Sequence, residues 1–141
     1  MGGLMRMERE IKFRGFDATG QKGWVYGDLA HNQKVTRTGL EPRTMVGGYE
    51  VVPESVGQFT GLKDNQGKDI YEGDLVNHPY IDPIFGHLVN CDNNEGVKSE
   101  VCFHDGSFVV KYDTDHFIYL DCFIRKNCLS VIGTIYEQNK K

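Results

Sequence analysis

The chain holds no apolar run near the roughly 18 residues that a membrane-spanning helix needs. It has only four prolines, and its four cysteines form no CxxC pair. The opening MGGLMRMEREIKF carries charge but no apolar core segment, so it does not read as a secretory signal. Reduced, mostly structural thiols and a cytoplasmic location are therefore expected. Charge of one sign is also scarce where nucleic acid would need it. Residues 1–48 carry eight Lys/Arg against five Asp/Glu, and residues 49–141 carry eight against fifteen. An acidic body with net charge −4 argues against broad phosphate-backbone binding and leaves room for a small basic patch near the N-terminus. What is abundant is glycine (17), with eight Phe and seven Tyr. That mixture suits short strands and frequent turns better than a helix bundle.

The stretch from Val56 to Val76, VGQFTGLKDNQGKDIYEGDLV, sets the pattern. Asp64-Asn65-Gln66-Gly67 is a tight turn: Asp can bond the backbone ahead of it, and Gly accepts the positive φ that follows. Ile70 and Tyr71 give the return strand β-branched and aromatic bulk, and Gly73-Asp74 breaks it before Leu75 and Val76. Residues 10–29 show the same order. Phe13-Arg14-Gly15 matches Phe59-Thr60-Gly61, Asp17 and Gly20 match Asp64 and Gly67, and Gly27-Asp28-Leu29 matches Gly73-Asp74-Leu75. Two readings stand: hairpins sharing ordinary turn chemistry, or a structural duplication. Within the first hairpin, Ile11 and Phe13 alternate with Lys12 and Arg14, which predicts a half-buried strand.

Elsewhere the reading is coarser. Residues 30–48 look like an exposed loop around Lys34, Arg37, Pro42 and Arg43. Residues 77–96 read as an insertion whose Ile84, Phe85, Leu88 and Val89 must cover this protomer or a neighbour. Asp105-Gly106 between alternating apolar residues predicts a hairpin over Val97 to Tyr112. Cys122 to Asn127 is assigned a helical turn, and Leu129 to Tyr136 a core strand bent at Gly133. Glu72-Gly73-Asp74-Leu75-Val76, followed by a hairpin and a closing strand, matches the way small SH3-like barrels begin. The expected fold is all-β, a hairpin-rich single domain over 10–137 with an SH3-like small barrel and little helix. Residues 1–9 are expected to be flexible and 138–141 frayed.

Taken together, IKFRGFD, WVYGDL, VGQFTGLKDNQGKDIYEGDLV, the Phe-x-Asp-Gly-x-Phe hairpin and the terminal VIGTIYE resemble the YopX family of phage and prophage proteins. The resemblance runs from about Ile11 to Glu137. It implies a mainly β fold, a phage or prophage origin and no assigned activity, and it brings no catalytic or binding residues with it.

Candidate chemistry is thin. His104-Asp105 and Asp115-His116 are the residue pairs of metal phosphohydrolases, but the first lies in a hairpin turn. Cys91, Cys102, His104, Cys122 and Cys128 are zinc-type ligands, yet only Cys102 and His104 have usable spacing. Asp64, Asp69, Glu72 and Asp74 do not match a calcium loop and read as a solvated acidic hairpin. Trp24, Tyr26, Tyr71, Tyr80 and Tyr119 could stack on bases, although aromatics at strand spacing more often fill cores. No enzyme, metal or cofactor is expected. The expected role is that of a phage or prophage accessory or regulatory protein that binds protein, as a homo-oligomer or with a phage or host partner. Its oligomer contacts would be Ile84, Phe85, Leu88 and Val89. The alternative is a nucleic-acid-binding module using Lys12, Arg14, Lys34, Arg37 and Arg43.

Overall fold

A computed structural model describes residues 10–81, 88–89, 96–111, 117–125 and 127–139. Its organising unit is a pair of hairpins laid edge to edge. The first joins β1 (Phe13–Phe16) to β2 (Trp24–Gly27), with Arg14 opposite Tyr26. The second joins β6 (Gly57–Lys63) to β7 (Asp69–Tyr71). β1 and β6 pair antiparallel, which gives the sheet order β2-β1-β6-β7.

The two turns are built alike. In each, the glycine N–H donates to the aspartate carbonyl, Gly20 to Asp17 at 2.8 Å and Gly67 to Asp64 at 3.0 Å. Both glycines have left-handed φ, +79° and +82°. Each aspartate side chain accepts backbone N–H groups of its own turn: those of Thr19 and Lys22 go to Asp17, and those of Gln66 and Lys68 to Asp64. Each following residue bonds a distant segment, Ala18 to the Glu50 carbonyl and Asn65 to the Leu129 carbonyl. This shared wiring extends beyond ordinary turn chemistry and favours the duplication reading.

Between the hairpins lies a second unit, the three-stranded sheet β3 (Leu29–Thr36), β4 (Gly39–Val46) and β5 (Tyr49–Glu50). The loop expected over residues 30–48 is therefore a long hairpin, closed by Arg37 and Thr38. A single 3₁₀ turn, Pro53–Ser55, leads from it to β6. The second hairpin feeds a five-stranded antiparallel sheet, order β13-β12-β11-β8-β14. These strands are β8 (Asp74–His78), β11 (Val97–His104), β12 (Ser107–Lys111), β13 (Phe117–Tyr119) and β14 (Ser130–Thr134). A short pair, β9 (Tyr80–Ile81) and β10 (Leu88–Val89), sits in the connection from β8 to β11.

Asp105 and Gly106 have φ of 49° and 82°, and they form the two-residue turn predicted between β11 and β12. β14 carries the bend expected near Gly133 as a register shift between Val131 and Gly133. The strand stops at Thr134. An N-cap, with Thr134 Oγ1 accepting the Glu137 N–H at 3.0 Å, starts helix α2 (Ile135–Asn139) where the sequence reading continued the strand. The other helix, α1 (Leu120–Arg125), begins two residues earlier than expected.

The fold is all-β with little helix, but each sheet is open among the described residues. The closed SH3-like barrel expected from the Gly-Asp motif is not seen there. The main core gathers Ile70, Val76, Val101, Val110, Leu120, Phe123, Cys128 and Leu129, so α1 seals one face of the five-stranded sheet. A smaller core of Val25, Val46 and Val51 lies under the first hairpin and the base of β3–β4. Gly57 lets β6 approach β7, because a Cβ there would strike the Glu72 carbonyl oxygen.

Candidate functional site

A cleft of about 420 Å³ opens where β1 and β2 face the foot of the second turn. Lys12, Lys63 and Lys68 line it around one carboxylate, Asp69, with Arg14, Tyr26 and Tyr71 completing the walls. Lys12 Nζ and Lys63 Nζ each lie 2.8 Å from an oxygen of Asp69. These two hydrogen bonds, that from Lys12 first, hold the Asp69 carboxyl below the usual range. The same bond, donated to Asp69, raises the Lys12 ammonium, despite the opposing effect of burial. Lys12 also approaches Glu10 at 3.3 Å and sits 4.6 Å from the Phe59 ring centre. Lys68 is exposed and makes no ion pair among the described residues. Tyr26 is 55% exposed, with its ring 5.7 Å from that of Tyr71. Burial raises the Tyr71 hydroxyl, so it stays protonated and able to donate.

Arg14, in the wall of the cleft, is a residue that the strand alternation placed toward solvent. The structure buries it instead, while Ile11 is 60% exposed. The reason lies sixty residues away. Arg14 Nη1 is 2.7 Å from Oδ1 of Asp74, which is 1% exposed, and the guanidinium stacks between Trp24 and Tyr71 at 4.7 and 5.0 Å. The other Asp74 oxygen accepts the Tyr71 N–H at 2.8 Å. Burial pushes the Asp74 carboxyl up, against the pull of Arg14. Arg14 Nε is buried with no hydrogen-bond partner among the described residues. Nor is the acidic hairpin solvated throughout, because Asp64 and Asp74 are both buried and spent on internal bonds.

Of the five basic residues expected to contact nucleic acid, two lie at the cleft and three on the β3–β4 hairpin. Lys12 and Arg14 belong to the cleft. Lys34 pairs with Glu50 at 3.0 Å, and Arg43 donates to the Asn32 side chain. Arg37 is exposed at the tip of the β3–β4 hairpin. Lys63 and Lys68, one at each foot of the Asp64 turn, were missed; their position flanking that turn is the signal that would have marked them. Of the expected oligomer contacts, Ile84 and Phe85 lie outside the described residues. Leu88 and Val89 form β10.

The β3–β4 hairpin is an arm. At about 3.3 Å per residue its eight-residue strands reach some 26 Å. β5 pairs β4 only at Met45 and Val46, so the outer part is a bare two-stranded ribbon. Val35 faces Leu40 across it, and these side chains are 84% and 63% exposed. β3 pairs with β4 alone, so its other edge is open along all eight residues among those described.

Groups with catalytic potential are sealed or scattered. His78 Nε2 is 2.7 Å from Ser99 Oγ, but the two residues are 2% and 4% exposed. His104 stacks on Phe117 at 3.9 Å between ring centres. Cys128 is buried and Cys122 exposed, and no three His, Cys, Asp or Glu gather among the described residues. No described helix is long and apolar enough to cross a membrane.

Fold and surface thus define an open, antiparallel hairpin protein with a cationic cleft at one place and a projecting arm at another. The YopX family profile, described as YopX protein, matches residues 12–141, and the chain belongs to that family. Protein EF1440 from Enterococcus faecalis, known from a crystal structure, has a similar fold. Its TM-score is 0.53 and its identity 21%, over 94% of this chain and 98% of that one. No curated protein matches the chain.

Proposed function

We propose that this is a non-enzymatic accessory or regulatory protein of phage or prophage origin that works by binding protein, first of all a second copy of itself through the β3 edge. The phage origin rests on the family resemblance. The binding role rests on one observation: the outer arm is an unsupported two-stranded ribbon with Val35 and Leu40 in solvent. An isolated ribbon of this kind is marginally stable in water and gains from a third strand. Edge strands that avoid pairing carry prolines, bulges or several charges. β3 has no proline and no acid, and its single cation, Lys34, is matched by Glu50. β4 is guarded by Glu41, Pro42 and Arg43. Two copies of β3 paired antiparallel about a two-fold axis would centre on Asn32 and Gln33 and bring Val35 over Ala30 of the other copy.

Light scattering on the purified protein at micromolar concentration tests this. A multiple of 16.0 kDa is expected, falling to the monomer mass in Val35→Lys/Leu40→Lys with its far-UV circular dichroism unchanged. A monomeric wild type, or a variant that keeps the multiple, overturns the assignment.

A further inference from the structure

We infer that the cleft between the two hairpins is a binding site for a phosphate ester, with the phosphate held by Lys12, Lys63 and Lys68 and its organic part lying against Tyr26. This is independent of the arm. Three observations carry it. First, four cations line the cleft, with Asp69 among them. Arg14 is matched by the buried Asp74, and Lys12 also approaches Glu10. That leaves Lys63 and Lys68 to share Asp69 with Lys12, in a chain whose net charge is −4. Asp69 does not spoil the site but builds it. By bonding Lys12 and Lys63 at 2.8 Å each, it holds two flexible ammonium groups on either side of one point. A third, on Lys68, remains without an ion pair among the described residues. Ammonium groups fixed in advance lose less side-chain freedom when an anion arrives.

Second, Arg14 stands in the wall of the same cleft with an enclosed Nε–H that no described residue satisfies. A charged donor left unpaired is costly, and an acceptor that reaches it removes that cost. Third, Tyr26 is more than half exposed beside the buried Tyr71, which gives the cationic cleft an apolar wall. A volume of about 420 Å³ lies in the range that holds one small ligand. The chemistry fits a monoester such as a nucleotide, or one phosphate of a nucleic-acid strand.

Calorimetric titration of the full chain with inorganic phosphate, adenosine monophosphate and a ten-residue oligothymidylate distinguishes the sources. Adenosine monophosphate should bind more tightly than inorganic phosphate and weaken at least tenfold in Lys63→Gln/Lys68→Gln. Both positions are exposed, so the fold is kept, as circular dichroism would confirm. Lys34→Gln, on the arm, should change nothing. Stronger binding of the oligothymidylate, lost in the same double variant, would identify the ester as a strand phosphate. Failure of all three probes to bind the wild type at millimolar concentration overturns the inference, as does binding that ignores the double variant.

Discussion

Replacing Arg14 by Met should be the most damaging conservative change on the first hairpin. Met keeps the length and apolar stem of Arg14 but removes the guanidinium that sits 2.7 Å from Asp74. Asp74 is then a carboxylate 1% exposed, retaining one hydrogen bond, from the Tyr71 N–H. Removing one member of a buried ion pair costs about 3–5 kcal/mol, because the other charge is left unmatched in a medium that solvates it poorly. Loss of the stacking on Trp24 and Tyr71 acts in the same direction. For a chain of this size, about 3 °C per kcal/mol gives a drop in melting temperature of about 10–15 °C. Asp74→Asn keeps an acceptor for the Tyr71 N–H while removing the charge, so Arg14→Met/Asp74→Asn should recover about 2 kcal/mol over Arg14→Met alone. Urea unfolding of the wild type and three variants, followed by circular dichroism, gives the full cycle. A cost under about 1 kcal/mol for Arg14→Met with an unchanged urea slope refutes the reasoning. So would a double variant less stable than both singles.

Other consequences are as definite. His78 is held neutral, its pKa lowered from 6.5 chiefly by burial, with Nδ1 toward the Pro79 carbonyl and Nε2 toward Ser99 Oγ. The unfolded chain takes up that proton at higher pH than the folded one, so this contribution is complete above pH 6.5 and declines as pH falls below it. The urea midpoint should fall between pH 7 and 5, and His78→Gln should flatten that slope; an equal slope in both proteins excludes His78 as its source. Gly67→Val forces a β-branched residue to φ +82° and should cost at least 1–2 kcal/mol, whereas Gly133→Ala, with open space at its Cβ and no positive φ, should lie within about 1 kcal/mol of wild type. Gly57→Ala should cost about 2–3 kcal/mol, since the Glu72 backbone oxygen cannot move aside without breaking β6–β7 pairing; thermal melts of these three variants check the order.

What the sequence showed and hid follows from the range over which each signal acts. Turns are local: Asp17 to Gly20, Asp64 to Gly67 and Asp105-Gly106 each specify their hairpin within four residues, and all three formed as read. The arm was hidden because burial writes the alternation of a strand, and β3 and β4 are solvated on both faces over most of their length. Lys34, Arg37, Pro42 and Arg43 therefore looked like a loop. Thr134 to Glu137 was legible as an N-cap but was masked by the apolar run before it. Arg14 was misplaced because its burial depends on Asp74, a partner no local pattern reveals. The cleft combines both difficulties: Lys12 was visible as a basic strand residue, but its association with Lys63 and Lys68 is created by the pairing of β1 with β6.

The arm is the part of the molecule on which the proposed role depends, and its backbone amides report on it most directly. The β3 amides that do not face β4 have no strand partner among the described residues. Hydrogen exchange should find them protected at protein concentrations where the mass is a multiple of 16.0 kDa, and exposed on dilution to the monomer. Rapid exchange of those amides at every concentration would contradict pairing through the β3 edge.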